Sequence, residues 1–273
     1  MVKWIKRIFM GRGVYQDDEL IAKSGEAGKS ARFELPPEIT KDNWRDYIIR
    51  MASPIEVGGF RPTQSPIASV FGDVRVALKG EKWPSFEDVL LWPLCQFNLT
   101  DAPLLPEELS DIKFISIFVH PDIIPKAHDI IDTSDTETPK PMVIRVYKDL
   151  SDLVEIERPS MEVPLKPFEV KWLEPVPDYP NHDCLPFNFD LLQIGDYYDQ
   201  TDTENVQATK FGGYPGTVQS EPWWDYKSNE YDFEFVLQIE SEPKSNWGWG
   251  DGAAFLARSK KNPQFWALDI QFT

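Results

Sequence analysis

Two regimes of apolar spacing run along the chain. In the first, Trp44, Tyr47, Ile48 and Met51 recur at i, i+3, i+4 and i+7, which predicts one apolar face of a helix. Thr40 is placed to cap it, and it ends near Ser53, because a residue before proline is pushed out of the helical region. A second short helix is predicted from Ser85, with Glu87 and Asp88 in its first turn and Pro93 as its stop. In the second regime the apolar segments are short, β-branched or aromatic, and bounded by Pro, Gly or Asp. Residues 114–119, 142–147, 168–172, 233–239, 253–257 and 265–272 read as strands. The pattern therefore predicts an α+β, β-rich fold with few helices. Seven prolines fall within residues 159–186, which disfavours regular structure and predicts a connector laid over the surface.

That connector separates two similar halves. Phe71 and Gly72 are followed by Trp83, then by Leu94, Cys95, Gln96, Phe97 and Asn98, then by the strand at 114–119. Phe211 and Gly212 are followed by Trp223, then by Val236, Leu237, Gln238, Ile239 and Glu240, then by the strand at 253–257. The three landmark offsets, 140, 140 and 142, are nearly constant and predict a duplicated unit. Two copies make no solenoid, so the expectation is one pseudo-symmetric domain in which each half covers a face of the other. The expected divisions are 1–64 as an N-terminal extension with one amphipathic helix, 65–158 as the first half, 159–186 as the connector and 187–273 as the second half.

Composition narrows the class of function. The chain has 273 residues with 28 Lys and Arg against 45 Asp and Glu, a net charge of −17. Duplex binding needs cationic patches on phosphate, so nucleic acid is not an expected partner. The first 50 residues carry ten basic against eight acidic groups, so the acidity belongs to the rest of the chain. It is concentrated in two runs, Asp129, Asp132, Asp135 and Glu137, and Asp196, Asp199, Asp202 and Glu204, which are solvated loops or a surface for a basic partner. Two cysteines, Cys95 and Cys184, are too few for a disulfide framework and fit a reducing cytoplasm. The first ten residues interrupt every apolar run with charge and so make no secretion signal. Trp4, Ile5, Ile8 and Phe9 cluster on one side of a helix if that segment is helical, and docking on the acidic body is expected rather than membrane insertion.

The order Phe211, Gly212, Gly213, Tyr214, Pro215, then a Trp, then a strand centred on Gln238, then Trp249, Gly250, Asp251 and Gly252, resembles the YwqG-like family of bacterial domains. Trp83, Pro84, the segment from Leu94 to Leu99, and Leu104, Leu105 and Pro106 match the same pattern in the first half. The resemblance covers about residues 65 to 273. One position departs from it: Asp73 stands where the pattern has a second glycine, so the first-half loop need not turn or bind as the second-half loop does. Proteins resembling this family occur beside polymorphic toxins. The resemblance therefore implies a cytoplasmic immunity protein that neutralises a basic toxin through an acidic surface with aromatic anchors. The alternative is a small-ligand-binding protein or enzyme using a cleft between the halves. Neither reading sets an oligomeric state.

Gln96, Gln238, Trp247, Trp249 and Asp251 are the candidates for that cleft. Each amide sits mid-strand among apolar neighbours, where it contacts a ligand or satisfies backbone groups. The Trp and Gly run ending in Asp251 is an aromatic box or a tight turn. Gly25 to Ser30 resembles a phosphate loop, but Lys23 stands where the first glycine is required. His120, His128 and His182 lack metal-ligand spacing, and His182 beside Cys184 lies within the connector. No catalytic residue, metal or cofactor is expected from these motifs.

Overall fold

The computed structural model describes residues 35–123, 128–201, 204–227 and 231–272. The expectations for residues 1–34, including the N-terminal segment, lie outside these. Three short helices are described, α1 (Trp44–Ile48), α2 (Tyr197–Thr201) and α3 (Trp224–Lys227). The strands in chain order are β1 (Arg50–Val57), β2 (Val70–Phe71), β3 (Val76–Leu78), β4 (Ser85–Phe86), β5 (Val89–Leu90), β6 (Trp92–Asn98), β7 (Phe114–Val119) and β8 (His128–Asp132). They continue with β9 (Met142–Tyr147), β10 (Leu153–Glu155), β11 (Phe168–Trp172), β12 (Val176–Asp178), β13 (Lys210–Gly212), β14 (Phe233–Glu240), β15 (Gly252–Ser259) and β16 (Phe265–Phe272). The fold is β-rich, and the six segments read as strands from the sequence all form strands.

Twelve strands join one antiparallel sheet in the order β8, β16, β15, β14, β13, β1, β11, β2, β6, β7, β9, with β12 also on β1. The end strands β8 and β9 lie beside one another, so the sheet nearly closes on itself. Its inner face is one continuous core. Phe97 of β6, Trp172 of β11 and Phe211 of β13 meet there, with ring centroids 4.9 to 6.4 Å apart. Ile117, Leu237, Trp249, Leu256 and Trp266 extend the same cluster. Burying such a set without a break is the main favourable term in folding, at about 1.5–3 kcal/mol per large apolar side chain.

Three expectations are corrected here. The helix at Thr40 to Met51 contracts to α1, and Ile49 is already extended (φ −66°, ψ 132°). Only Trp44 and Ile48 of its apolar face are buried, because Arg50 begins the central strand and the sheet overrides the helical period. The chain before residue 65 is therefore no mere extension. The expected second helix is instead the hairpin β4–β5. Its two loop residues, Glu87 and Asp88, both take positive φ (50° and 64°), the geometry of a two-residue hairpin turn. The proline-rich connector supplies β11 and β12, both paired along β1 in the middle of the sheet. Its prolines are tolerated because Pro167 and Pro175 flank β11, while Pro177 lies on β12, which pairs with β1 alone.

Matching contacts recur in the two parts of the chain. β2, β6, β7 and β9 neighbour one another in that order, as do β13, β14, β15 and β16. The Ser69 hydroxyl accepts from the Asn98 N–H, and the Thr209 hydroxyl accepts from the Glu240 N–H, both at 2.9 Å. Pairing shifts by one residue at Leu94 between β6 and β7, and at Val236 between β14 and β15. β1 pairs with β13 while β11 pairs with β2, so each part takes its first neighbour from the segment preceding the other.

Candidate functional site

The two glycine loops have opposite surroundings. In the loop after β13, Gly212 and Gly213 both take φ of +72°. A Cβ on Gly213 would lie 2.1 Å from Asp178 Oδ2, so only glycine lets that carboxylate approach. Asp178 accepts from Lys210 Nζ at 2.7 Å, the Tyr214 N–H at 2.8 Å and the Val206 N–H at 2.7 Å. Lys210 and Asp178 are both fully buried. Burial holds the Lys210 ammonium below the ordinary lysine range, and the touching carboxylate opposes that. The Phe211 to Pro215 motif is thus built around an internal ion pair.

In the loop after β2, Gly72 takes φ of +84°, and a Cβ there would meet the Lys166 carbonyl at 2.4 Å. The next residue is Asp73, and here the chain opens onto a cleft of about 720 Å³. Its walls are the segment following β1 (Gly58 to Pro66), the segment carrying Asp73 and Arg75, the end of β10 with Ile156 and Arg158, and Pro167 to Glu169. Gln96 ties two of these walls together. Its Oε1 accepts from the Arg75 N–H at 2.6 Å, and its Nε2 donates to the carbonyls of Pro66 and Ala68 at 2.8 and 2.7 Å.

Glu169 fixes the third wall. One carboxylate oxygen accepts from the Thr63 N–H (2.6 Å) and hydroxyl (3.1 Å), the other from the Gln64 N–H (2.7 Å) and Arg75 Nη1 (3.5 Å). Burial pushes this carboxyl up, but those hydrogen bonds outweigh it and hold Glu169 below the ordinary glutamate range. Gln64 itself is held at φ 61°, a left-handed conformation that costs about 1–3 kcal/mol for a non-glycine residue. Asp73 is less completely satisfied: Arg75 Nε lies 3.7 Å from one oxygen and Arg158 Nη1 3.9 Å from the other, beyond hydrogen-bond length. Burial lifts the Asp73 carboxyl above the ordinary aspartate range, with Arg158 and Arg75 pulling the other way.

A smaller cleft of about 400 Å³ lies between Leu104 to Glu108 on one side and Phe211, Gly213 and Phe235 on the other. Three of its charges, Arg50, Glu234 and Lys260, are matched with one another. Arg50 sits 4.4 Å above the Tyr214 ring and 2.6 Å from Glu234, whose second oxygen meets Lys260 at 2.8 Å.

The residues singled out from the sequence are placed as follows. Gln96 and Gln238 are fully buried, and Gln238 accepts from the Gly216 N–H at 2.8 Å while donating to Glu240. Trp247 and Trp249 pack edge to face at 4.8 Å within the main core, and Asp251 is exposed. None of these five lines the two clefts just described. Asp129 and Asp132 lie on β8, with Asp135 and Glu137 in the loop to β9, so the run lies on one strand and the loop that follows it. Asp132 accepts from the Ser134 N–H and hydroxyl, and Asp135 from the N–H groups of Glu137 and Thr138. Hydrogen bonds from Thr138 and Glu137 hold Asp135 down to about 2. Asp196 precedes α2, Asp199 lies on it, Glu204 pairs with Arg45 at 2.7 Å, and Asp202 lies outside the described residues. Among the described residues no group of three His, Cys, Asp or Glu is arranged to hold a metal ion.

Sequence reasoning passed over Arg75, Arg158 and Glu169. The available signal was Asp73, the one departure from the paired glycine pattern. Over residues 70–260, more than half its length, the chain matches a family described as a domain of unknown function (DUF1963), and it belongs to that family. No curated relative matches it.

Proposed function

We propose that this is a small-ligand-binding protein of the YwqG-like family, with the Asp73 and Arg75 cleft as its binding site. The observation that carries the reading is the buried Glu169 carboxylate holding a strained Gln64 loop over a cleft of about 720 Å³. Preorganised concave sites of this size, with convergent polar groups beside Phe60 and Phe168, suit ligands of a few hundred daltons. The repeated strand order and the equivalent Ser69 and Thr209 hydrogen bonds support a duplicated, pseudo-symmetric origin. In that reading the second copy became the closed, load-supporting half and the first acquired the site. The test is small-molecule release. Protein isolated from its native cells without denaturation should release a compound on unfolding, and Glu155→Trp, which fills the cleft mouth, should release none. Equal release from both forms, or none from either, would overturn the proposal.

A second reading, a cytoplasmic immunity protein for a basic toxin, is favoured by the acidic loop from β8 to β9. There Asp132 and Asp135 are held ionised beside the seam where the sheet nearly closes. Its test is replacement of Asp132, Asp135 and Glu137 by Lys, which should abolish protection against the product of a neighbouring toxin gene. Protection unchanged by that reversal would exclude the β8–β9 loop as the interface.

A further inference from the structure

In a chain carrying −17 net charge, several cations have an acid in close contact. Lys210, Arg50, Lys260 and Arg45 each touch a carboxylate at 2.6 to 2.8 Å. The cleft arginines do not. Arg158 makes no hydrogen bond within 3.5 Å among the described residues, and its closest carboxylate is Asp73 at 3.9 Å. Arg75 uses Nη1 alone for hydrogen bonds, to the Ser65 carbonyl at 3.4 Å and Glu169 at 3.5 Å, with its Nε at 3.7 Å from Asp73. A guanidinium offers five N–H donors in a rigid fork that fits the two oxygens of a carboxylate or phosphate. Two such forks flank one loosely held carboxylate; of the other two acids lining the cleft, Glu169 is already committed to the Thr63 and Gln64 loop, and Glu155 lies more than 4 Å from both guanidiniums.

We infer that the cleft takes an oxyanion, a carboxylate or phosphate carried on an apolar body, with Arg158 and Arg75 holding the anion and Phe60 and Phe168 flanking the body. This rests on the reading of the cleft as a ligand site. Asp73 is then a stand-in for the ligand: its charge offsets the repulsion between the two guanidiniums, and it is displaced or protonated as the anion enters. Its repulsion of the anion gives the inference a sign. Removing the Asp73 charge should strengthen binding of an anion and weaken binding of a cation.

The test is calorimetric titration of the full chain with 3-phenylpropionate and phenyl phosphate, against 3-phenylpropanamide and phenethylammonium as neutral and cationic counterparts. At least one anion should bind saturably, while the amide and the ammonium should not. The tighter of the two anions distinguishes a carboxylate ligand from a phosphate one. Arg158→Ala, at an exposed side chain, should weaken the anion about tenfold to a hundredfold, the worth of a charge-assisted hydrogen bond. Asp73→Asn should tighten it. Binding unchanged in Arg158→Ala, anion binding weakened in Asp73→Asn, or no saturable binding of either anion would overturn the inference. A compound released from native protein that proves cationic or uncharged would leave the ligand-site reading standing and remove the oxyanion.

Discussion

The loop after β2 and the loop after β13 begin with the same Phe and Gly and sit at equivalent places in the sheet, yet one faces a cleft and the other an ion pair. A single residue marks the divergence. Gly213 leaves room for Asp178 to reach Lys210 and the Tyr214 N–H, and the loop closes over charges that satisfy one another. Asp73 instead brings a charge of its own, and the nearest cations stop at 3.7 and 3.9 Å. The comparison teaches that a fixed backbone turn can serve stability or binding, according to whether its polar groups are matched inside the fold or left for a ligand.

Breaking the closed loop has the largest expected effect. Lys210→Met removes one partner of a fully buried pair and strands the Asp178 charge, at a cost of about 3–5 kcal/mol in chemical denaturation. The double variant Lys210→Met with Asp178→Asn should recover part of that loss. Without recovery, the pair would not be the element that closes the loop.

Exchanging the diverged residues sharpens the contrast. Gly213→Asp places a side chain where a Cβ already meets Asp178 Oδ2 at 2.1 Å and should leave little folded protein in thermal melts. Asp73→Gly deletes a carboxylate with no close ion pair and should shift the melting temperature little. Comparable losses from the two would mean the loops are not functionally distinct.

The buried amides come next. Gln238→Ala orphans the Gly216 N–H and should cost about 1–3 kcal/mol. Gln96→Ala frees three partners, the Arg75 N–H and the carbonyls of Pro66 and Ala68, and should cost more. It should also weaken the anion, since Gln96 positions Arg75. A Gln96→Ala protein destabilised but binding normally would confine that amide to stability.

The smallest effect is in pH dependence. Burial raises the folded-state pKa of Asp73, so between its unfolded and folded values the native chain holds more protons than the unfolded one. Stability from this group therefore falls as pH rises through that window, the reverse of a paired carboxylate such as Glu169, whose lowered pKa loses stability as pH falls. Relative to Asp73→Asn, the wild-type chain should lose stability between acid pH and neutrality. A difference that grows in favour of the wild type would show that Arg75 and Arg158 pair with Asp73 in solution.

The sequence by itself determined six of the sixteen strands, β7, β9, β11, β14, β15 and β16, because their spacing, β-branched content and flanking turn residues are local properties that the sheet reinforces. It also showed a recurring spacing, through Phe71 and Phe211, Trp83 and Trp223, and Gln96 and Gln238, and it marked Asp73 as the odd residue. What surrounds Asp73 was decided only by the tertiary structure. Arg75, Arg158 and Glu169 are brought to one cleft from separate segments, spread over 95 positions of the chain, and no local pattern encodes that meeting. Pairing of β1 with β11, β12 and β13 likewise cut the Trp44 helix to one turn and a half, and drew the proline-rich segment into the centre of the sheet. Long-range hydrogen bonding there outweighs a helical preference of a few tenths of a kcal/mol per residue (about 0–0.7). Net charge forecast an acidic surface. Which cations remain unmatched within it depends on distances of an ångström, and those exist only after the chain has folded.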